Sequence, residues 1–279
     1  MTGFRNFWRR LCKNRLTVFC LILFAILVLM VVFADFIAPY GWDDQDITRR
    51  NLAPCAEHLC GTDNLGRDIF SRILYGGRMS LQIGIYASVL TTVIGALIGS
   101  VSAYFGGKVD NIIMRFMDIF MAIPPMLLAI AIAAALGTGT LNTMLAVVIS
   151  GIPMKARIAR GPVLSLRSQE YIEAARAVNT PTFKIILRHI IPNIMAPLIV
   201  QTTLSISGAI VQVAGLSFLG LGVQPPNPEW GAMLSAGRSF LRDFPWMVLA
   251  PGVAMLLTLF SLNVVGDGVR DALDPKLKD

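Results

Sequence analysis

The chain has 279 residues, of which 55% are hydrophobic and only 15% charged. An ordinary soluble domain carries about 25% charged residues, so this composition excludes that class and points to a lipid bilayer. The formal net charge of +7 would suit nucleic acid, but in a membrane protein the placement of Lys and Arg reports loop topology instead, and no nucleic-acid partner is expected.

Residues 1–15 read as a basic tail holding Arg5, Arg9, Arg10, Lys13 and Arg15. Residues 16–34, "LTVFCLILFAILVLMVVFA", contain no charge and at about 1.5 Å per residue cover roughly 28 Å, close to the hydrocarbon thickness. They predict a first transmembrane helix within residues 16–37. A cleaved signal peptide is the competing reading, but its apolar run is usually about 7–15 residues long, and here "DFIAPY" follows instead of a small-x-small cleavage site.

Residues 38–79 form a long outer loop. "CAEHLC" places Cys55 and Cys60 close enough to bridge in an oxidising exterior. Free thiols are the alternative, and a metal reading through His58 is incomplete with two Cys and one His, so no metal site is expected. Cys12 and Cys20 are expected to be unpaired. "GTDNLGRD", residues 61–68, lacks the alternating ligands and terminal Glu of a calcium loop and reads as structural. "DIFSRILYGG" puts Ile69, Phe70, Ile73 and Leu74 on one face, which predicts a short helix lying on the membrane and ending at a Gly76–Gly77 hinge.

Five further spans are predicted within a core of residues 80–266, at 80–104, 111–136, 141–154, 194–218 and 246–266. Pro124 and Pro125 should kink the third span, and Arg115 and Asp118 read as an interfacial pair near its inner end. The fourth span is short and is expected to continue as helix past Pro153 toward Lys155. "GGKVD", residues 106–110, lacks the first glycine and the Ser/Thr of a nucleotide-binding loop, so this chain is not itself an ATPase.

Residues 155–193 form the largest inner loop, and "YIEAARAVNTPTFKIILRHIIPN", residues 171–193, carries the punctuation of two short helices. Asn179 suits the left-handed residue that ends a helix. Thr180 offers an N-cap hydroxyl, Pro181 suits the first helical position, and Pro192 is expected to break the second helix before the fifth span. In that span Gln201, Ser205, Gly208 and Gln212 fall on one helical face, either lining a channel or holding helices together. The second outer loop, 219–245, is rich in Pro and Gly. Its Glu229 and Trp230 are candidate contacts for an external binding protein or closed outer gate, with an interfacial anchor as the other reading of Trp230. Residues 267–279 complete the chain as an inner tail.

Six spans place the basic tail, Lys108, Arg115, the cations between Lys155 and Arg188, and Arg270, Lys276 and Lys278 on one side. The positive-inside rule then makes both termini cytoplasmic.

"EAA" at residues 173–175, followed by "HIIP" at 189–192, resembles the EAA loop of permease subunits of bacterial ABC importers. "GTDNLGRD", "GLSFLGLGVQPPNPEWGAML" and "GDGVRDALDPKL" resemble signatures of the C-type subunit in the branch serving dipeptides, oligopeptides and nickel. Asn179 stands where that family usually has Gly, and Ile191 where it has Leu. The resemblance implies an all-α integral membrane protein with six transmembrane helices and a type I importer (MetI-like) permease fold in a bacterial inner membrane. It implies pairing with a homologous B-type permease subunit, two cytoplasmic ATPases that hold ATP and Mg²⁺, and an extracytoplasmic solute-binding protein. This chain itself would carry no cofactor.

By the same resemblance Tyr171, Glu173, Ala174, Ala175, Ala177, Asn179 and Phe183 would couple to an ATPase, with Glu173 as the main polar contact. The alternative for Glu173 is a local pair with Arg176. The function expected is a pathway for peptides, with nickel or another small solute as the alternative. An ion-coupled secondary transporter would need mid-membrane charges that the spans lack, and a membrane enzyme cannot be assembled from His58 and His189.

Overall fold

The computed structural model describes residues 8–273. Arg5 in the N-terminal tail, and Lys276 and Lys278 in the C-terminal tail, lie outside the described residues. Among the described residues there is no strand ladder, only one isolated bridge between Thr62 and Asp68. In lipid this is the expected solution, since a helix satisfies its backbone hydrogen bonds internally.

The first helix, α1, spans Arg15–Val32, and Asn14 caps it by accepting from the Leu16 N–H at 2.9 Å. α2 runs without interruption over Ile69–Phe105. The segment expected to lie on the membrane therefore forms its first turns, and Ile69, Ser71, Arg72 and Leu74 are buried instead of facing lipid. Gly76 and Gly77 are not a hinge. A side chain at Gly77 would sit 2.6 Å from Val31 and 2.9 Å from Trp230, so the glycine permits close approach within a continuous helix.

The third expected span is two helices, α3 (Gly107–Met121) and α4 (Pro125–Leu136), bent by 88°. Pro124 is the N-cap of α4 and Pro125 its first residue, so the pair starts a new helix where a kink alone was expected. α5, Thr140–Leu166, continues through Pro153 and Pro162, as the fourth span was expected to do. Asp118 pairs with Arg157 of α5 and not with Arg115, because the α3–α5 contact brings that guanidinium across.

α6, Glu170–Ala177, is short. α7 is one helical rod over Thr182–Phe218, containing a π turn at Ile186–Ile190 and a 3₁₀ turn at Ile191–Ile194 before regular helix from Met195. Pro192 does not break it. The ladder widens just before the proline, with Ile191 N–H bonding five residues back to Ile186, and this accommodates the ring and the missing donor. α8 spans Trp230–Gly237, and α9 spans Trp246–Leu273, well past the expected end at Gly266.

Among the described residues four helices, α1, α2, α7 and α9, are long and apolar enough to cross a membrane, and α3 and α4 pass the same test only when taken together across their bend. α5 covers the fourth expected span but is less apolar than those four, because Lys155, Arg157 and Arg160 fall in its later half. α2 packs mainly on α5 and α7, α1 and α7 pack on α9, and α4 covers α5. Gly95 and Gly99 set the α2–α5 seam: a Cβ at Gly95 would lie 2.5 Å from Lys155 Cβ, and one at Gly99 2.2 Å from the Ala156 carbonyl.

Candidate functional site: the EAA segment and the cavity

Three places carry the polar residues singled out above: the α6–α7 elbow, a cavity along α7, and the corner beneath α8. Each is set by local sequence.

At the elbow, α6 ends in a left-handed Asn179 with φ 54°. Thr180 N–H donates to the Ala175 carbonyl at 3.0 Å and Asn179 N–H to the Arg176 carbonyl at 2.9 Å, the paired bonds of a Schellman cap. Asn therefore performs the turn that Gly usually supplies. Pro181, not Thr180, is the N-cap of the next helix and makes no side-chain cap bond. Ile172 is fully buried against Tyr104, Val163, Ile185 and Ile190, which fastens α6 to the ends of α2 and α5. Burying such a side chain contributes about 2–3 kcal/mol.

The opposite face of the elbow is open. Tyr171, Glu173, Ala174, Ala177 and Asn179 are exposed, Phe183 is 72% exposed, and Ala175 is half-buried. Arg176 is not paired with Glu173: its guanidinium stacks 4.6 Å from the Tyr104 ring centroid. Among the described residues the Glu173 carboxylate has no partner.

The cavity, about 370 Å³, lies between α2, α5 and α7. All four one-face residues, Gln201, Ser205, Gly208 and Gln212, line it together with Ser88, Thr91 and Lys155. Gln212 also holds helices together, since its Nε2 donates to Ser150 Oγ and to the Pro125 carbonyl, each at 3.1 Å. Lys155, taken from the sequence as the start of a polar loop, lies within α5 at 6% exposure, with Nζ donating to the Gln201 carbonyl at 2.8 Å. The signal for it was its position two residues past Pro153, in a helix already expected to continue.

At the α8 corner the candidate external contacts are corrected. Glu229 is 0% exposed and Trp230 2%. Glu229 caps α8 by accepting from Gly231 and Ala232 N–H, both at 2.9 Å, and from Ser80 Oγ at 2.9 Å. Trp230 Nε1 donates to the Ile73 carbonyl at 3.0 Å, and its ring packs with Ile69, Met233 and Met247. Neither an outer contact nor an interfacial anchor describes such residues. They bolt α8 to α2, a role visible only once the early turns of α2 are known to be buried.

The outer loop is a second polar knot. Asp68 caps α2 through the Ser71 N–H at 2.7 Å, and its carboxylate lies 2.9 Å from His58 Nδ1 with Tyr40 stacked on the imidazole. Asp63 accepts from Leu65 and Arg67 N–H and from Arg67 Nε, so "GTDNLGRD" is structural as expected. Cys55 and Cys60 are free thiols. Cys55 is exposed while Cys60 packs toward the Trp230 cluster, so the two side chains occupy different surroundings and do not bridge. Burial, and secondarily the charge of Asp68, pushes the Cys60 thiol pKa up. Among the described residues no cluster has the ligands to hold a metal.

A cavity with polar residues on its wall lies within a bundle of apolar helices, and one cavity helix runs out to an exposed elbow, the architecture of an integral membrane protein. Comparison with known proteins gives the family: the chain belongs to the binding-protein-dependent transport system inner membrane components, matched over residues 91–279. Residues 2–54 match the N-terminal transmembrane domain of oligopeptide transport permease C.

A dipeptide transport system permease protein DppC of Alkalihalophilus pseudofirmus is 44% identical, covering 100% of this chain and 91% of its own length. A glutathione transport system permease protein GsiD of Pectobacterium atrosepticum is 42% identical, over 99% and 92%. A di/tripeptide permease DppC of Pseudomonas aeruginosa is 41% identical, over 99% and 93%. Among solved structures, an inward-facing MetNI methionine ABC transporter chain superposes with a TM-score of 0.58 at 16% identity, covering 74% of this chain and 98% of that one. The likeness shows the type I permease fold. The chain is an ABC importer permease, an inner-membrane transport subunit whose family works with ATPases and binding proteins.

Proposed function

We propose that this chain forms one half of a peptide translocation pathway and receives its drive through the elbow at residues 171–183. One observation carries the reading: the rod Thr182–Phe218 begins at the exposed elbow and ends along the cavity, so a push on α6 moves the wall bearing Gln201, Ser205, Gly208 and Gln212. A rigid helix transmits such a displacement over its whole length. The unpartnered Glu173 and the exposed Tyr171, Ala174, Ala177 and Phe183 form the surface that an ATPase groove would cover.

The partners are a homologous B-type permease subunit, two cytoplasmic ATPases that hold the ATP and Mg²⁺, and an external solute-binding protein. Both termini are cytoplasmic, which keeps the basic elbow on the ATPase side. Relatives named for dipeptides, di/tripeptides and glutathione support a peptide substrate. In reconstituted vesicles the complete importer takes up peptide only with ATP hydrolysis and without an ion gradient; gradient-driven uptake by this chain alone would overturn the reading. Glu173→Ala, or a charge in Ala174→Asp, abolishes the ATP turnover stimulated by loaded binding protein while membrane insertion persists. Normal stimulation in both variants would remove the coupling assignment.

A further inference from the structure

Among the described residues Lys155 is the only ionisable side chain on the cavity wall. Its stem is pressed against Gly95, where a Cβ would come within 2.5 Å of Lys155 Cβ, and its ammonium reaches from α5 to the Gln201 carbonyl on α7. An ammonium has three donors, and among the described residues this one has a single acceptor and no carboxylate. A buried cation without a counter-charge is costly, so a site that keeps one is suited to a ligand that supplies the charge.

A second, independent observation lies on the same wall. Ser88 is buried at 2% exposure, lines the cavity, and its Oγ has no hydrogen-bond partner. It is a hydroxyl donor with nothing to donate to. The remaining polar groups of the wall, Thr91, Gln201, Ser205 and Gln212, are neutral, and no acidic residue lines the cavity. The electrostatics are therefore one-sided.

We infer that the cavity contains a carboxylate subsite, with Lys155 as its cation and Ser88 as a neutral donor, that takes the free carboxylate of the transported solute. The inference rests on the peptide reading above and goes beyond it by assigning the chemistry recognised inside the membrane subunit. A carboxylate, with two acceptor oxygens, takes charge-assisted bonds from an ammonium and from a hydroxyl alike. The same single cation disfavours a bare divalent metal ion as cargo, since the two charges would repel at short range in a poorly screened site.

The test uses the complete importer in proteoliposomes, with its binding protein supplied saturated with either a free-acid dipeptide or the same dipeptide amidated at its C-terminus. Lys155→Gln lowers free-acid uptake about 10- to 100-fold, the scale of a lost charged hydrogen bond, and lowers amide uptake less than about 2-fold. Ser88→Ala, a smaller change that serves if Lys155→Gln fails to assemble, lowers the acid-to-amide ratio about 3- to 10-fold. Equal losses for both peptides, or no loss, in the assembled variants would overturn the subsite while leaving peptide transport standing. A wild-type importer that moves neither peptide would instead sink the peptide reading.

Discussion

Glu173 lies in the first turn of the short helix α6, Glu229 caps the short helix α8, and both have small residues and an aromatic within two positions. One is exposed and unpartnered; the other is sealed beneath α8 with its oxygens taken by two backbone amides and a serine hydroxyl. The difference is not residue type but what lies opposite. The elbow faces away from the bundle, held on its inner side by Ile172, whereas the α8 corner is pressed onto α2 where Gly76 and Gly77 remove the obstructing Cβ atoms. A carboxylate whose bonds are already made stabilises a fold; one left open is available to another molecule.

The comparison can be broken most severely at Trp230. Trp230→Ala removes the largest side chain of the corner and its bond to Ile73, and should cost about 3–5 kcal/mol, seen as a lowered unfolding midpoint in detergent. Glu229→Ala leaves two amides and the Ser80 hydroxyl unsatisfied in a buried place and should cost about 2–3 kcal/mol, with Glu229→Gln milder because an oxygen acceptor remains. Were either change neutral for stability, the corner would not be the bolt described above.

At the elbow the effects are smaller. Asn179→Ala puts a Cβ-bearing residue without a compensating polar side chain at φ 54° and should cost about 1 kcal/mol, whereas Asn179→Gly should be neutral or stabilising. The opposite order would reject the Schellman turn. Glu173→Ala should change the unfolding free energy by less than about 0.5 kcal/mol while silencing stimulated ATP turnover. That separation of stability from coupling is the sharpest form of the contrast.

The cysteines give the smallest signal. Both Cys55 and Cys60 should label without prior reduction, Cys60 more slowly. Because its pKa is raised, less thiolate is present at a given pH, so the Cys60 rate should keep climbing above the pH at which an ordinary exposed thiol has levelled off. Labelling that requires a reductant would restore the bridge.

What could be read from the residues followed local rules. The Asn179 turn, the spacing of Gln201, Ser205, Gly208 and Gln212, and the passage of α5 through Pro153 depend on helical period and backbone preference within a few positions. What escaped depended on contacts between distant segments. Nothing near Glu229 announces Ser80, and nothing near Gly77 announces Trp230. Lys155 looked like a loop cation because a charge after an apolar run normally marks the membrane edge, and only the approach of α7 turns it into a cavity residue. Asp118 has a cation three residues away in Arg115, yet its partner Arg157 lies on another helix.

The seam at Gly95 and Gly99 has a mechanical consequence. With backbone against backbone, α2 and α5 have little room to part or roll, and they behave as a single plate. Under the proposed coupling, the rod that starts at the elbow is the moving jaw, and the cavity is the gap between a fixed side and a driven one. The Lys155 ammonium, anchored on the plate and bonded to the rod at the Gln201 carbonyl, is a latch between the two sides.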